Sequence, residues 1–388
     1  MGAAGKLAIS ATEVPGASAW PKATSSRIFS ATTCRGSLRP KMDVGIWETD
    51  RARSRSRYPH PVHIAVTGSI AMDHLMRFSG RFAESLLTEQ LDRVSLSFLV
   101  EDLQIRRGGI APNICFGLAA LGLDPLLVGS VGEDFADYRA WLERHGVQTW
   151  PIRVSETQHT ARFICTTDSV GAQIGSFYTG AMAEAQQIEL QPIAERAGGL
   201  DLVVISPNDP VAMLRHTDEC RSRRFNFVAD PSQQMAWLEG QQIKHLIDGA
   251  TYLFSNDYED GLITQKTGWS HEEILERVAV RVITRGAKGS SVLIAGEPEL
   301  HIPIAREVER VDPTGVGDAY RAGFLAGLAW GVPLERCAQV GSLQASYAIE
   351  VVGTQEYRFG DTFLARFEEA YGTEPATEIA PHLGNLRL

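Results

Sequence analysis

From residue 63 onward, short apolar runs alternate with amphipathic ones. HIAVTGSI (63–70), DLVVISP (201–207), FNFVADPS (225–232), ATYLFSND (250–257) and VRVITRG (280–286) are brief and end in polar or turn-forming residues. They are rich in β-branched and aromatic side chains, which predicts buried strands. PLLVGSVG (125–132) is read as one more strand. Between them, PNICFGLAALG (112–122), DYRAWLERHG (137–146), VAMLRHTDECRSRR (211–224) and SHEEILERVAV (270–280) have helical spacing. Strand, turn and helix at this interval predict an α/β fold of three layers, with a mainly parallel central sheet covered on both faces. Ligands bind such sheets beyond the carboxyl ends of the strands. The polar residues that close each run are therefore the candidates for chemistry.

Two stretches break the rhythm. VSLSFLVEDLQIRR (94–107) and TARFICTTDSVGAQIGSFYTG (160–180) alternate with period two and lack a helix after each strand. They predict antiparallel strands with one open face. The small β-sheet they form, with strands within 73–78, 94–108 and 160–180, would be inserted in the large domain as a lid. Exposed edges on such a sheet invite a second copy, which predicts a homodimer through the lid strands. Residues 1–60 are rich in Ala, Ser, Thr, Gly and Arg and show no sustained periodicity. That composition cannot offset the entropy of ordering, so a disordered extension is expected there. The folded domain is expected over 62–372, with 373–388 as a C-terminal tail.

Charge and cysteine content narrow the function classes. The chain of 388 residues has a formal net charge of −10. Residues 1–60 carry roughly +6 and the remainder roughly −16. An acidic body argues against a general nucleic-acid binder, yet a small polyanion can still be held by local donors. No apolar run approaches the roughly 18–20 residues of a membrane span, and the N-terminus lacks the apolar core of a signal peptide. The five cysteines have no CxxC or CxxH spacing. This fits a reducing cytoplasm and neither a disulfide framework nor a zinc site.

The most informative stretch is RVDPTGVGDAYRAG (310–323). Its glycines allow several backbone N–H groups to converge on one point, and the helix that follows adds the positive end of its dipole. Gly315, Val316 and Gly317 are thus a candidate anion hole for a phosphoryl group. A carboxylate at that mouth would repel the anion, so Asp318 is the candidate general base that takes a proton from a substrate hydroxyl. An aspartate there is also an ordinary N-cap. No GxxxxGK[ST] occurs, so phosphate binding is not of the P-loop kind.

DPTGVGDAYRAGFLAG resembles the C-terminal signature of the ribokinase-like (PfkB) sugar and nucleoside kinases. RRGGIAPNICFGLAALG (106–122) resembles the family's Gly-Gly and Asn element, Asn256 to Glu259 its N-x-x-E element, and Thr284-Arg285-Gly286 its T-x-G element. They occur in the family's order across roughly residues 62–372. Within the family, VTGSIAMDHLMRFSGRF, DPSQQ and GTQEY look most like the bacterial, actinobacterial-type adenosine kinases.

The resemblance implies ATP-dependent phosphorylation of the adenosine 5′-hydroxyl, a purine-salvage reaction. Asp73 would hold the ribose hydroxyls, since one carboxylate can accept from two vicinal hydroxyls. Gly108 and Gly109 would let the sugar approach the backbone, and Asn113 would bond a hydroxyl; Ser69 would touch sugar or base. Phe163 and Phe177 would sandwich the adenine, although aromatics on a small sheet are usually its own core. Gln233 and Gln234 suit the purine edge, or a turn after Asp230. On the donor side, Asn256, Thr284, Gly286 and Gly289 would hold ATP, and Glu259 would act on Mg²⁺ through water. Arg285 is a further charge candidate, or faces solvent. A potassium activator, with Gly353-Thr354-Gln355 near its loop, is implied by resemblance alone. The alternatives are another ribonucleoside, ribose or a ketose as acceptor, and a non-catalytic nucleoside or sugar sensor.

Overall fold

The computed structural model describes residues 62–85 and 97–387. The extension expected over 1–60 lies outside these residues, as do 94–96 of the first lid stretch. In chain order the strands are β1 (Ile64–Thr67), β2 (Ala71–Arg77), β3 (Asp102–Gly108), β4 (Leu126–Val128), β5 (Ser130–Gly132), β6 (Arg153–Ser155) and β7 (Ala161–Thr167). They continue as β8 (Gln173–Tyr178), β9 (Leu202–Ile205), β10 (Phe227–Ala229), β11 (Tyr252–Asn256), β12 (Val280–Thr284), β13 (Ser290–Leu293) and β14 (Leu300–Ile302).

The large sheet has eight strands in the order β14-β13-β12-β11-β10-β9-β1-β4. From β4 to β12 every pair is parallel, and β13 and β14 add an antiparallel margin. Alternate residues of each strand enter different cores. Ile64, Val66, Leu202, Val204, Tyr252 and Phe254 pack with the helices Ile110–Ala120, Val316–Trp330 and Leu334–Ile349 on one face. Ala65, Val203, Ile205 and Leu253 pack with Pro210–Arg223 and Gly240–Ile247 on the other. This is the expected three-layer α/β arrangement. Near-continuous apolar strands are what burial on both faces requires.

The small sheet has the order β3-β2-β7-β8. β2 pairs with β3, and β7 with β8, in antiparallel fashion, but β2 and β7 run parallel. The all-antiparallel reading is corrected on this point. β7 arrives by a long crossover through the helix Ala136–Arg144 and the β5–β6 pair, so it returns in the direction of β2. The strand expected from residue 94 onward starts at Asp102. In register, Arg106, Asp73, Phe163 and Phe177 form one row across the four strands and therefore share one face.

Two further expectations change. PLLVGSVG is two strands, not one. Gly68 N–H bonds Val128 O as β1 leaves the sheet, so Ser130 has no β1 partner and β5 pairs with β6 instead. The stretch read as a tail from 373 forms the helix Thr373–Ile379 and a turn over Ala380–Asn385. Ile379 is fully buried, and Arg387 N–H donates to Ala120 O at 2.9 Å.

Candidate active site

Asp318 lies in the first turn of the helix Val316–Trp330, whose N-cap, Gly315, has a left-handed backbone with φ 77°. The first amides of a helix have no intrahelical acceptor, which leaves those of Gly315 and Gly317 for a ligand, whereas Val316 N–H makes a long hydrogen bond to Pro313 O at 3.5 Å. Asp312 braces the turn from behind: it accepts from Thr314 N–H at 2.9 Å and from Gly353 N–H at 3.1 Å.

Asn113 comes from the first buried turn of the helix Ile110–Ala120. Its Nδ2 donates to Asp318 Oδ2 at 2.8 Å. Its Oδ1 accepts from Thr354 Oγ1 at 2.8 Å and from Gln355 Nε2 at 3.0 Å, which fixes the orientation of the amide. Gln355 also donates to the Tyr138 hydroxyl, which donates to Gly108 O at 3.0 Å. A single network therefore runs from the Gly-Gly backbone to the carboxylate.

Burial pushes the Asp318 carboxyl up to about 7, and the negative charges of Asp230 and Glu259 add to that; the Asn113 N–H and the Arg321 guanidinium oppose it. A base is most effective when its pKa is near the working pH. Arg321, one helical turn on, is ion-paired with Asp230 at the end of β10: Nη2 donates to Oδ1 at 2.7 Å, and Nε lies 2.6 Å from Oδ2 without making a second hydrogen bond. It also donates to Gly317 O at 3.1 Å, fastening the turn to the sheet.

At the Gly-Gly pair, Gly109 has φ 94°, and a Cβ there would sit 2.5 Å from Ser69 O. Ser69 Oγ in turn accepts from Ile110 N–H at 3.4 Å. A Cβ on Gly108 would meet Asp73 Oδ2 at 2.8 Å, so the Asp73 carboxylate lies against that backbone. Burial raises the Asp73 carboxyl, and Arg106 and His74 counteract it. Phe163 and Phe177 are 37% and 51% exposed, open on the same face as Asp73 rather than buried as core. Gln233 is exposed. Gln234 Nε2 donates to Asn208 O at 2.8 Å.

The N-x-x-E element is a capping box. Asn256 caps the helix Asp257–Thr267 by accepting from Glu259 N–H, and Glu259 Oε2 accepts from Asn256 N–H, both at 2.8 Å. Glu259 Oε1 accepts from Ser232 at 3.1 Å. Thr284 stands beside Asn256 in the sheet, and Gly286 and Gly289 bound the short turn after it. Arg285 is held by Asp257 at 2.7 Å and faces Glu299 at 3.7 Å. Among the described residues no group of three or more His, Cys, Asp or Glu is arranged to hold a metal.

The structure thus gathers Ser69, Asp73, Gly108, Gly109, Asn113 and Asp318 on one side and Asn256, Glu259 and Thr284 on the other, along the carboxyl ends of β1, β11 and β12. Sequence reasoning missed Arg106, Asp312, Tyr138, Arg321 and Asn208. Asp312 alone had a local signal, the D-P-T-G string in front of the turn.

A sequence profile described as pfkB family carbohydrate kinase matches residues 64–358. The nucleoside kinase of Burkholderia thailandensis, solved in complex with inosine, is 34% identical, with TM-score 0.69, over 80% of this chain and 98% of that one. The nucleoside kinase of Methanocaldococcus jannaschii is 28% identical over 75% of this chain and 92% of its own length. The ribokinase of Thermotoga maritima, at 20% identity and TM-score 0.64, covers 79% of this chain and 99% of its own, a likeness of fold. With its ribokinase-like fold, this chain belongs to the pfkB family of carbohydrate kinases.

Proposed function

We propose that this kinase transfers the γ-phosphoryl of ATP to the 5′-hydroxyl of adenosine, giving AMP and ADP. Membership of the family gives the coarser activity, ATP-dependent phosphorylation of a nucleoside or sugar. The observation that carries the finer reading is the shared row of Asp73, Phe163 and Phe177. One carboxylate suits vicinal ribose hydroxyls, and two open aromatic rings suit a base. A free sugar would leave both rings uncovered.

In the proposed reaction Asp318 takes the 5′-hydroxyl proton while that oxygen bonds the γ-phosphorus. The bond from this phosphorus to the β,γ-bridging oxygen breaks, and ADP leaves with that electron pair. The amides of Gly315 and Gly317 would face the charge on the group in transit, and that of Val316 would leave Pro313 O to join them. Asn256, Thr284, Gly286 and Gly289 would hold ATP. Glu259 fits a water-mediated Mg²⁺, because each of its oxygens accepts one hydrogen bond and keeps a lone pair. Bound Mg²⁺ would offset phosphate charge. Potassium activation would act near Gly353–Gln355.

The outer lid face shows exposed Leu103, Ile105, Ile164 and Ile174, which supports a homodimer through the lid. Placement in the cytoplasm is proposed from four buried free cysteines among the described residues.

A second reading is a kinase of several purine nucleosides. Gln234 is occupied by Asn208 and Gln233 is exposed, so the base edge has no fixed reader that tells an amino from an oxo group. The test is ADP release from MgATP with adenosine, inosine, guanosine, ribose and fructose, with and without potassium. Adenosine far ahead of the others supports the first reading, and similar rates for adenosine and inosine the second. A preference for a free sugar overturns both.

A further inference from the structure

A phosphoryl group in transit spreads negative charge over three equatorial oxygens, and enzymes of this chemistry set a cation against it. Three arginines of the site are engaged. Arg321 is buried, with its guanidinium shared between Asp230 and Gly317 O. Arg107 lies 3.9 Å over the Trp141 ring and 3.4 Å from Glu356. Arg285 is held by Asp257 and Ser291. Arg106 is different. Its only carboxylate neighbour within ion-pair distance, among the described residues, is Asp312 at 3.6 Å, beyond hydrogen-bond length. It also donates to Gln104, a neighbour on its own strand.

Its place is the telling feature. Arg106 stands opposite Asp73 on the adjacent lid strand and shares its face. Its guanidinium reaches across to the carboxylate that braces the catalytic turn. The positive charge is therefore between the group read as holding the acceptor and the amides read as holding the donor phosphate.

We propose that Arg106 is a catalytic residue carried by the lid, which leaves Asp312 to bind the phosphoryl group during transfer. Its planar fork of donors matches two phosphoryl oxygens at once. This inference rests on the kinase reading.

The test uses full-length Arg106→Met and Arg106→Lys, each with a melting curve to establish folding. Turnover with MgATP and adenosine is compared with the affinity for adenosine alone and for adenosine with MgADP and aluminium fluoride, a mimic of the transferring group. The expected result for Arg106→Met is a kcat lower by about 100-fold. Affinity for the mimic should fall by a similar factor, and adenosine affinity should stay within about 3-fold. Lysine should restore part of the loss, and guanidinium ion in solution should stimulate the methionine variant only. Unchanged kcat, or adenosine affinity falling as far as kcat, would overturn the assignment. A wild-type protein that transfers phosphate to no acceptor would overturn the kinase reading, and this inference with it.

Discussion

Asn113 and Asp318, 205 residues apart in the chain, meet in a hydrogen bond of 2.8 Å from Nδ2 to Oδ2. The amide is held from its other end by Thr354 and Gln355, so Asp318 is aimed as well as bonded. A neutral donor of this kind steadies the ionised carboxylate without neutralising it.

The pH dependence of turnover follows from that pair. With Asp318 as the proposed base, active when deprotonated, and its pKa raised to about 7, kcat should climb with pH and level off above about 7. Asn113→Ala removes a group that lowers this pKa and should move the acid limb to higher pH. Asp318→Asn should cost at least about 100-fold in kcat with little change in adenosine affinity. Steady-state profiles between pH 5 and 9 check all three; a limb that stays in place without Asn113 would contradict the aiming role.

The same carboxylate weakens the fold. Its folded pKa, about 7, exceeds the ordinary aspartate value of 3.8, so the folded state holds the proton more tightly. Its contribution to stability therefore falls as pH rises from about 4 to 7. Asp318→Asn should melt higher than wild type at pH 8, with the gap closing toward pH 4. Calorimetry at both pH values gives the answer, and a gap of the same size at both would refute the burial account.

Arg321→Met should destabilise the protein by about 3–5 kcal/mol, because it strands Asp230 as a buried charge. Adding Asp230→Asn should return much of that. Urea unfolding of both variants makes the comparison, and equal losses would mean that helix packing, not charge, sets the cost.

Phe177→Ala should raise the KM for adenosine by roughly 10-fold, with a smaller effect on that for ATP, since base stacking is worth about 1–3 kcal/mol. Equal effects on both substrates would mark the ring as part of the lid's structure.

Gly109→Ala should lower acceptor affinity and thermal stability together, because its φ of 94° disfavours a side chain and the added Cβ would collide with Ser69 O. Crystallisation or a melting scan of the variant distinguishes strain from a harmless fit; an unchanged Tm would exclude strain.

Much of this was readable in advance because short-range chemistry writes short-range patterns. The parallel core strands are apolar throughout, and the turn into the helix Val316–Trp330 uses glycine at the left-handed Gly315. Asn256 and Glu259 stand three apart because a capping box needs that spacing. What depends on distant partners left no such trace. The parallel pairing of β2 with β7 is decided by the crossover between them, not by either strand's alternation. Asp230 looked like a turn residue until Arg321, 91 positions later, was seen against it. The residues after 372 read as a tail because their few apolar side chains, among them Ala376 and Ile379, are spaced between polar ones.

The root of the lid is the pair Ala71 and Gly108, with Ala161 on the next strand. Asp73 is two residues above that root and Arg77 six, or roughly 7 and 20 Å along the strand at about 3.3 Å per residue. A tilt about the root would therefore sweep the tip three times as far as the row that carries Asp73, Phe163 and Phe177. In such a tilt the sheet would act as a lever, with its rim travelling far and the row near the fulcrum hardly shifting. A nucleoside could thus settle into final alignment before the door swings, which favours an ordered sequence with the acceptor first.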